Sequence, residues 1–147
     1  MSYREFGNAY DPAVGFVGRR GFRRLQPSAG YEPFLEDHPW IRSLEFSTRF
    51  EYLTDLQGTP QTVSIGVQPF GIILDSGDSF EVSGRRLFER LNGPFDILGD
   101  GELVLPPGTY ATYAGALSLR TAGYRPISGD FELTYGGFWS GTQAELE

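Results

Sequence analysis

Residues 43–91 decide the fold class of this chain and read SLEFSTRFEYLTDLQGTPQTVSIGVQPFGIILDSGDSFEVSGRRLFERL. Between positions 42 and 54, large apolar side chains alternate with polar ones. The apolar positions are Leu44, Phe46, Phe50 and Tyr52, and the polar positions are Glu45, Ser47, Arg49 and Glu51. A period of two is that of a β-strand, whose successive side chains point to opposite faces.

Two more strands follow in the same stretch, at 61–74 and 78–90, after turns at 57–60 and 76–78. In the first of them the apolar positions change parity, from Val63, Ile65 and Val67 to Phe70, Ile72 and Leu74. Because Pro69 lies at this change, we predict a β-bulge there. In the second, Phe80, Val82 and Phe88 alternate with Glu81, Ser83, Arg85 and Glu89.

The rest of the chain extends the pattern outward from this stretch. We predict a flexible lead-in at 1–14, a first strand at 15–26, a loop or irregular crossover at 27–41 and short strand pieces at 91–108. Further strands are predicted at 109–121 and 129–139, with a loop at 122–128 between them and one more strand starting in the tail. The expected fold is therefore all-β, an antiparallel up-and-down meander of about 7–8 strands that forms a barrel or part of one, with 15–147 as a single domain.

Composition excludes several classes of function. The chain of 147 residues contains no Cys, so disulfides and thiolate metal sites are absent. Its net charge of -7 disfavours nucleic-acid binding, which needs a basic surface. The N-terminal residues lack the apolar segment of a signal peptide, and taken literally this indicates a cytoplasmic chain.

No catalytic or cofactor-binding constellation is evident, and we expect a non-enzymatic protein without cofactor or metal. The single histidine, His38, lies in a Pro-rich segment, and Gly77-Asp78-Ser79 is interpreted as turn chemistry and not as a nucleophile motif. Asp75, Asp78 and Glu81 form only an incomplete calcium-binding pattern.

Six residues are the candidate binding residues: Arg19, Arg20, Arg23, Arg24, Trp40 and Trp139. The four arginines either form an anion- or lipid-headgroup-binding patch or pair with carboxylates on neighbouring strands. The aromatic residues of the chain, the two tryptophans included, pack in a core, form a membrane-interface girdle or stack on sugar rings.

Several blocks of sequence occur together in a fixed order. They are NAYDPAVGFVGRRGFRR at 8–24, WIR at 40–42, YLTDLQG at 52–58, FGIILDSGDSF at 70–80, FERLNGPFDI at 88–97, LPPGTY at 105–110 and GGFWSG at 136–141. Together they resemble the C-terminal region of large bacterial proteins of unknown function that carry an N-terminal module like carbohydrate-binding family nine. That resemblance implies an outer-membrane-type β-barrel region, an outer-membrane location for the full-length family, and no catalytic residue.

The chain departs from that family by lacking the sugar-binding module, a signal peptide and a terminal aromatic residue, so we expect a fragment or a short relative. Three hypotheses follow. The first is a non-catalytic barrel segment linked to carbohydrate binding or uptake, with carbohydrate or lipid as partners and homo-oligomerisation through open sheet edges. The second is a soluble barrel or sandwich with a small ligand in its interior, and the third is a glycosidase-associated accessory domain.

One observation separates the first two hypotheses. In a membrane-type segment Glu45, Arg49, Glu81 and Arg85 point inward. The apolar side chains that then point outward are Leu44, Phe46, Phe50, Val63, Ile65, Phe80 and Val82. In a soluble protein the two faces exchange roles.

Overall fold

The computed structural model describes residues 1–7, 21–97, 99, 101–139 and 141–147, and these form strands joined by turns. The strands are β1 Ser2–Phe6, β2 Phe22–Gln26, β3 Ser28–Tyr31, β4 Ile41–Asp55, β5 Pro60–Leu74, β6 Ser79–Leu91, β7 Phe95–Asp96, β8 Val104–Leu105, β9 Gly108–Arg120, β10 Asp130–Phe138 and β11 Gly141–Leu146.

Most of the strands form one sheet in the order β1-β2-β4-β5-β6-β9-β10-β11, with β3 also paired to β4, while β7 and β8 pair with each other. Neighbours in this order follow one another along the chain apart from the short strands set aside, so the predicted antiparallel meander is confirmed. The order of the described strands is open, with β1 and β11 at its two ends.

Strands β2 and β3 behave as one strand interrupted at Pro27. Phe22 lies opposite Asp55, Ser28 opposite Arg49 and Tyr31 opposite Phe46, and this register does not shift between them. Proline has no N–H to donate, but its carbonyl still accepts a bond of 3.0 Å from the Phe50 N–H. The ladder therefore continues through the proline.

The predicted loop at 27–41 is shorter than the sequence indicated. The same register extends to the bridge between Phe34 and Ser43 and to a bond of 2.9 Å from the Leu35 N–H to the Arg42 carbonyl, which leaves residues 36–40 as the loop. The prolines in this segment led to a wrong prediction of where the loop begins. A proline has no N–H to donate, but it can lie in a paired segment at positions where the pairing needs no N–H.

The first residues also differ from the prediction. Within the expected lead-in at 1–14, Ser2–Phe6 form β1 and pair with β2, Tyr3 opposite Leu25 and Phe6 opposite Phe22. Five residues are too few for a convincing alternation, and the pairing partner rather than local propensity orders them. Residues 8–20, which include parts of both the lead-in and the predicted first strand, lie outside the described residues.

The two turns predicted in the central stretch are confirmed. The Asp55 N–H donates to the Thr59 carbonyl at 3.0 Å, and the Leu74 N–H donates to the Asp78 carbonyl at 2.9 Å. At the second turn Gly77 has a φ of 77°, which a residue with a side chain rarely adopts. These turns set the boundaries between β4, β5 and β6.

The change of parity predicted near Pro69 is visible in the structure. Gln68 lines a polar groove, and a side chain added at Gly71 would meet the side chains of Gln68 and Glu45. Gln68 and Gly71 therefore lie on the same face although they are three residues apart. In a regular strand only residues two apart share a face, so the strand contains an extra residue, as in a bulge.

The chain divides into two compact units. Unit 1 comprises Met1–Pro27, Phe50–Ser64 and Leu87–Ala111, and unit 2 comprises Ser28–Arg49, Ile65–Arg86 and Thr112–Glu147. Strands β4, β5, β6 and β9 contribute residues to both units. The prediction of a single domain at 15–147 stays a prediction.

Few apolar side chains are buried in the described part of the chain. The buried hydrophobic residues there are Leu53, Leu105 and Ala122, of which the first two belong to unit 1 and the third to unit 2. The backbone ladder therefore holds most of the strands together without an apolar core beneath them.

Strands β9 and β10 approach each other closely at Gly136, which lies opposite Ala114. A Cβ built at Gly136 would overlap the Tyr113 carbonyl oxygen and the Ala114 Cα. At the next residue, Gly137, a Cβ would meet the Thr112 side chain at 3.4 Å, an ordinary contact. Only glycine fits the first position, whereas the second has room for a methyl group.

We predict that Gly136→Ala lowers the free energy of unfolding by about 1–3 kcal/mol, since the methyl group must push backbone atoms apart. Gly137→Ala is the matched control in the same strand and should change it by less than about 0.5 kcal/mol. Urea unfolding followed by far-UV circular dichroism measures both. Equal effects of the two substitutions would contradict the steric argument.

Candidate functional site

The predicted arginine cluster does not form one patch among its described members. Arg23 pairs with Glu5 at 3.2 Å, and Arg24 pairs with Glu51 at 3.1 Å. Adjacent residues of a strand point to opposite faces, so the two guanidinium groups lie on different faces of β2. The structure thus shows pairing with carboxylates of neighbouring strands at these two positions, while Arg19 and Arg20 lie outside the described residues.

The two tryptophans occupy turns at different places in unit 2. Trp40 lies at the end of the 36–40 loop, is 58% exposed and contacts the ring of His38 edge-on. Trp139 follows β10 with a φ of 51°. The structure does not bring the six predicted binding residues together among the members that it describes.

The turn between β5 and β6 is joined to the 121–129 loop by Asp78. One carboxylate oxygen accepts from the Ala122 N–H at 2.9 Å and from the Arg125 Nε at 3.0 Å. The other accepts from the Ser76 hydroxyl at 2.7 Å and from the second guanidinium nitrogen of Arg125. The hydroxyl of Tyr124 adds a bond to the Ser76 carbonyl.

Two of the three carboxylates in the incomplete calcium-binding pattern are engaged within the protein. Asp75 pairs with Arg42 and Asp78 with Arg125, so both carboxylates have cationic partners within the protein. Over the ranges that the structure describes, no group of three or more metal-ligating side chains converges.

The outer strands of unit 2 present opposite chemistry on their two faces. Leu117 of β9 lies opposite Leu133 of β10, which in turn lies opposite Leu146 of β11, and these residues are 41%, 39% and 67% exposed. The next positions, Ala116, Thr134 and Glu145, are paired in the same way on the other face. One face of these strands is therefore an exposed apolar surface.

This apolar surface continues across unit 2. Further exposed apolar side chains are Ile65, Phe70, Tyr113, Leu119, Phe131 and Tyr135. Arg86 lies over the ring of Tyr113, with its guanidinium carbon 5.5 Å from the ring centroid. A cation stacked on an aromatic ring is well suited to a boundary between polar and apolar surroundings.

The opposite face of unit 2 forms a groove of about 480 Å³, which we call the unit-2 groove. Its charged residues are Arg49, Glu81, Arg85 and Glu132. Its hydroxyl and amide residues are Ser47, Gln68, Ser83 and Thr134, its small residues are Gly66, Gly84, Ala114, Gly115 and Ala116, and Val67 also lines it. The Ser47 hydroxyl donates to the Gln68 side-chain oxygen at 3.2 Å.

Sequence reasoning found part of this groove. Three of the four charged residues expected to point inward in a membrane-type segment line it, and Glu45 lies beside Gly71 close to Gln68. The contribution of Glu132 and Thr134 was missed as part of a site, although both alternate with Phe131, Leu133 and Tyr135. Only the strand order shows that β10 supplies the same groove as β4 and β6.

Unit 1 has a smaller pocket of about 290 Å³, lined among others by Phe22, Leu53, Asp55, Gln61 and Asn92. Several of its polar side chains are hydrogen-bonded, whereas the buried Nε of Arg90, which also lines it, has no hydrogen-bond partner among the described residues. The Asn92 amide donates to the Gln61 oxygen at 2.9 Å, and Asp55 accepts the Thr59 N–H at 2.7 Å, which lowers the pKa of Asp55. This pocket is a smaller candidate for binding than the unit-2 groove.

The stability of the protein should depend on pH through Asp78. The Ala122 N–H, the Ser76 hydroxyl and Arg125 all favour the carboxylate and lower its pKa below the ordinary value. A depressed pKa contributes stability that is present above the unfolded value, near 4, and is lost as the pH falls through the folded value. We expect Asp78→Asn to unfold at lower urea concentration at pH 7, and to lose less stability than the parent on acidification below about 4.

Asp37→Asn is the control, since Asp37 lies exposed in the 36–40 loop and its side chain makes no hydrogen bond or ion pair with a described residue. It should keep the parent's pH profile of urea midpoints. Glu5 and Asp55, whose pKa values are also lowered, account for the acid sensitivity that remains in Asp78→Asn. Parallel profiles for Asp78→Asn and the parent would refute the role of Asp78.

In the part of the chain that the structure describes, no helix is long and apolar enough to cross a membrane. No family model matches the sequence, and no curated protein and no solved structure matches the chain. The two faces of the sheet are therefore the structural features that bear on function. The family resemblance given above stays a prediction.

Proposed function

We propose that this chain is a non-catalytic segment of an outer-membrane-type β-barrel, with its apolar face toward lipid and its polar groove toward the interior. The exposed row Leu117, Leu133 and Leu146, backed by Ala116, Thr134 and Glu145, is the observation that carries the proposal. Apolar-out and polar-in alternation on antiparallel strands is the pattern of barrels that span membranes.

The distribution of apolar side chains supports this proposal over a soluble barrel. A soluble barrel with an interior ligand needs its apolar set buried, and the described buried hydrophobics are Leu53, Leu105 and Ala122. Water contact over a surface as large as the apolar face of unit 2 is unfavourable, so such a surface indicates lipid or a protein partner.

The aromatic residues support the lipid-facing arrangement as well. Tyr113, Tyr135 and Trp40 are exposed, and Phe70 and Phe80 contact each other on the apolar side with ring centroids 6.3 Å apart. Carbohydrate binding or uptake, as the resemblance implies, is the process in which such a segment takes part, and the open edge of β11 is where strands of other chains add.

We predict that the full chain disperses as defined particles in detergent and folds into phospholipid vesicles. Leu133→Arg places a charge on the apolar face and should reduce vesicle insertion by about 2–4 kcal/mol if the position lies near the bilayer centre. Thr134→Arg, at the next residue and on the groove face, is the matched control and should insert like the parent.

Vesicle flotation quantifies the inserted fraction, and size-exclusion chromatography without detergent gives the second measurement. A chain that is monodisperse and folded in detergent-free buffer and does not insert into vesicles would rule out the proposal. Equal insertion of the two arginine variants would also rule it out, because the faces would then not differ toward lipid.

A further inference from the structure

The four charged residues of the unit-2 groove form no ion pair with a described residue. Arg23, Arg24, Arg42, Arg120 and Arg125 each form an ion pair with a carboxylate. Within the ranges that the structure describes, Arg49, Arg85 and Glu81 form neither an ion pair nor a hydrogen bond through their side chains. The groove thus holds cationic and anionic groups whose hydrogen-bonding capacity is unused.

The strand order explains why these groups do not neutralise each other. Arg49 is on β4, Glu81 and Arg85 are on β6, and Glu132 is on β10, while the intervening strands β5 and β9 supply small residues to the groove. Strands lie about 4.8 Å apart, so the charged rows are separated by roughly 10 Å. Along β6, Glu81 and Arg85 are four positions apart, which corresponds to about 13 Å between their Cα atoms.

Small residues form the floor between the rows. Gly66 on β5 and Ala114 and Ala116 on β9 leave space above the backbone, and Ser83 lies on β6 between its two charged neighbours. A ligand lying on this floor along β6 has the cationic Arg85 on one side, the anionic Glu81 on the other, and the Ser83 hydroxyl between them. The arrangement therefore fits an extended molecule with opposite charges at its two ends.

The charge balance restricts the ligand further. Two arginines and two glutamates give the groove no net charge, so a ligand of one sign meets repulsion as well as attraction. A carboxylate matches the fork of a guanidinium, and an ammonium matches a glutamate. An extended peptide of three residues spans about 10 Å, close to the separation of the charged groups.

We propose that the unit-2 groove binds a short zwitterionic peptide of two or three residues, with its carboxylate on Arg85 and Arg49 and its ammonium on Glu81 and Glu132. The site goes beyond the barrel proposal, since it needs only the folded polar face and not the lipid contact of the opposite face.

Isothermal titration of the folded full chain with triglycine tests this site, with N-acetyl-triglycine amide as the uncharged control ligand. Triglycine should bind saturably, and the blocked peptide should bind at least tenfold more weakly, because it lacks both charges. This comparison needs no substitution in the protein. Absence of saturable binding of triglycine, or equal binding of the two peptides, overturns the proposal.

Substitutions locate the site. Arg85→Gln and Glu81→Gln remove one charge each while keeping a polar side chain of similar size, and each should weaken triglycine binding about tenfold. Arg120→Gln, outside the groove on an exposed ion pair with Asp130, should leave the affinity unchanged. Far-UV circular dichroism checks that each variant is folded. Binding that survives both groove substitutions would place the peptide elsewhere and refute the site.

The two proposals fail separately. Vesicle insertion reports on Leu133 and the apolar face, whereas triglycine titration reports on Arg85, Glu81 and the groove. A chain that inserts but does not bind triglycine refutes the peptide site alone. A soluble chain that binds triglycine refutes the membrane proposal alone.

Discussion

The antiparallel hydrogen-bond ladder is the interaction on which the rest of this structure depends. Buried apolar side chains are few in the described residues, so the usual cohesion of a hydrophobic core contributes little to holding the strands in place. In the ladder, each pairing places two side chains on a common face. Leu117, Leu133 and Leu146 meet on one face only because β9, β10 and β11 keep one register. A slip of one residue would bring groove residues to the apolar surface and leucines into the groove.

Proline and glycine positions keep this ladder intact where the chain could lose it. Pro27 lacks an N–H, yet the register of β2 against β4 continues into β3 because the Pro27 carbonyl still accepts from Phe50. Gly136 lets β10 approach Ala114 so closely that no side chain fits between them. The bonds from Asp78 to Ala122 and Arg125 hold the β5–β6 turn against the loop that follows β9. Each feature preserves pairing at a point without support from an apolar core.

The sequence predicted the strands of this fold better than it predicted its site. Alternation over more than ten residues locates β4, β5, β6 and β9 closely, because a period of two has no other common structural cause. β1 is too short to be predicted from its alternation. The residues before β4 contain prolines, which usually mark loops, and so the sequence predicts a loop there. The groove was only partly predictable. Alternation shows that Arg49 and Leu44 lie on opposite faces of one strand, but it is symmetric and cannot say which face is enclosed. That required the strand order, which places Glu132 of β10 in the same groove as Arg49 of β4.

The change of parity in β5 ties the fold to both proposals. Without it, the alternation that sends Gln68 into the groove would also send Phe70, Ile72 and Leu74 there, since all four positions have even numbers. The extra residue at Pro69 returns Phe70 to the apolar side, where it contacts Phe80, and places Gly71 rather than a large side chain beside Gln68 and Glu45. Within unit 2, Ile65, Phe70 and Ile72 can then lie on one face of β5, and Gly66, Gln68 and Gly71 on the other. The same local irregularity thus extends the apolar surface and keeps bulky aromatic side chains out of the groove, so the two faces depend on a single bulge.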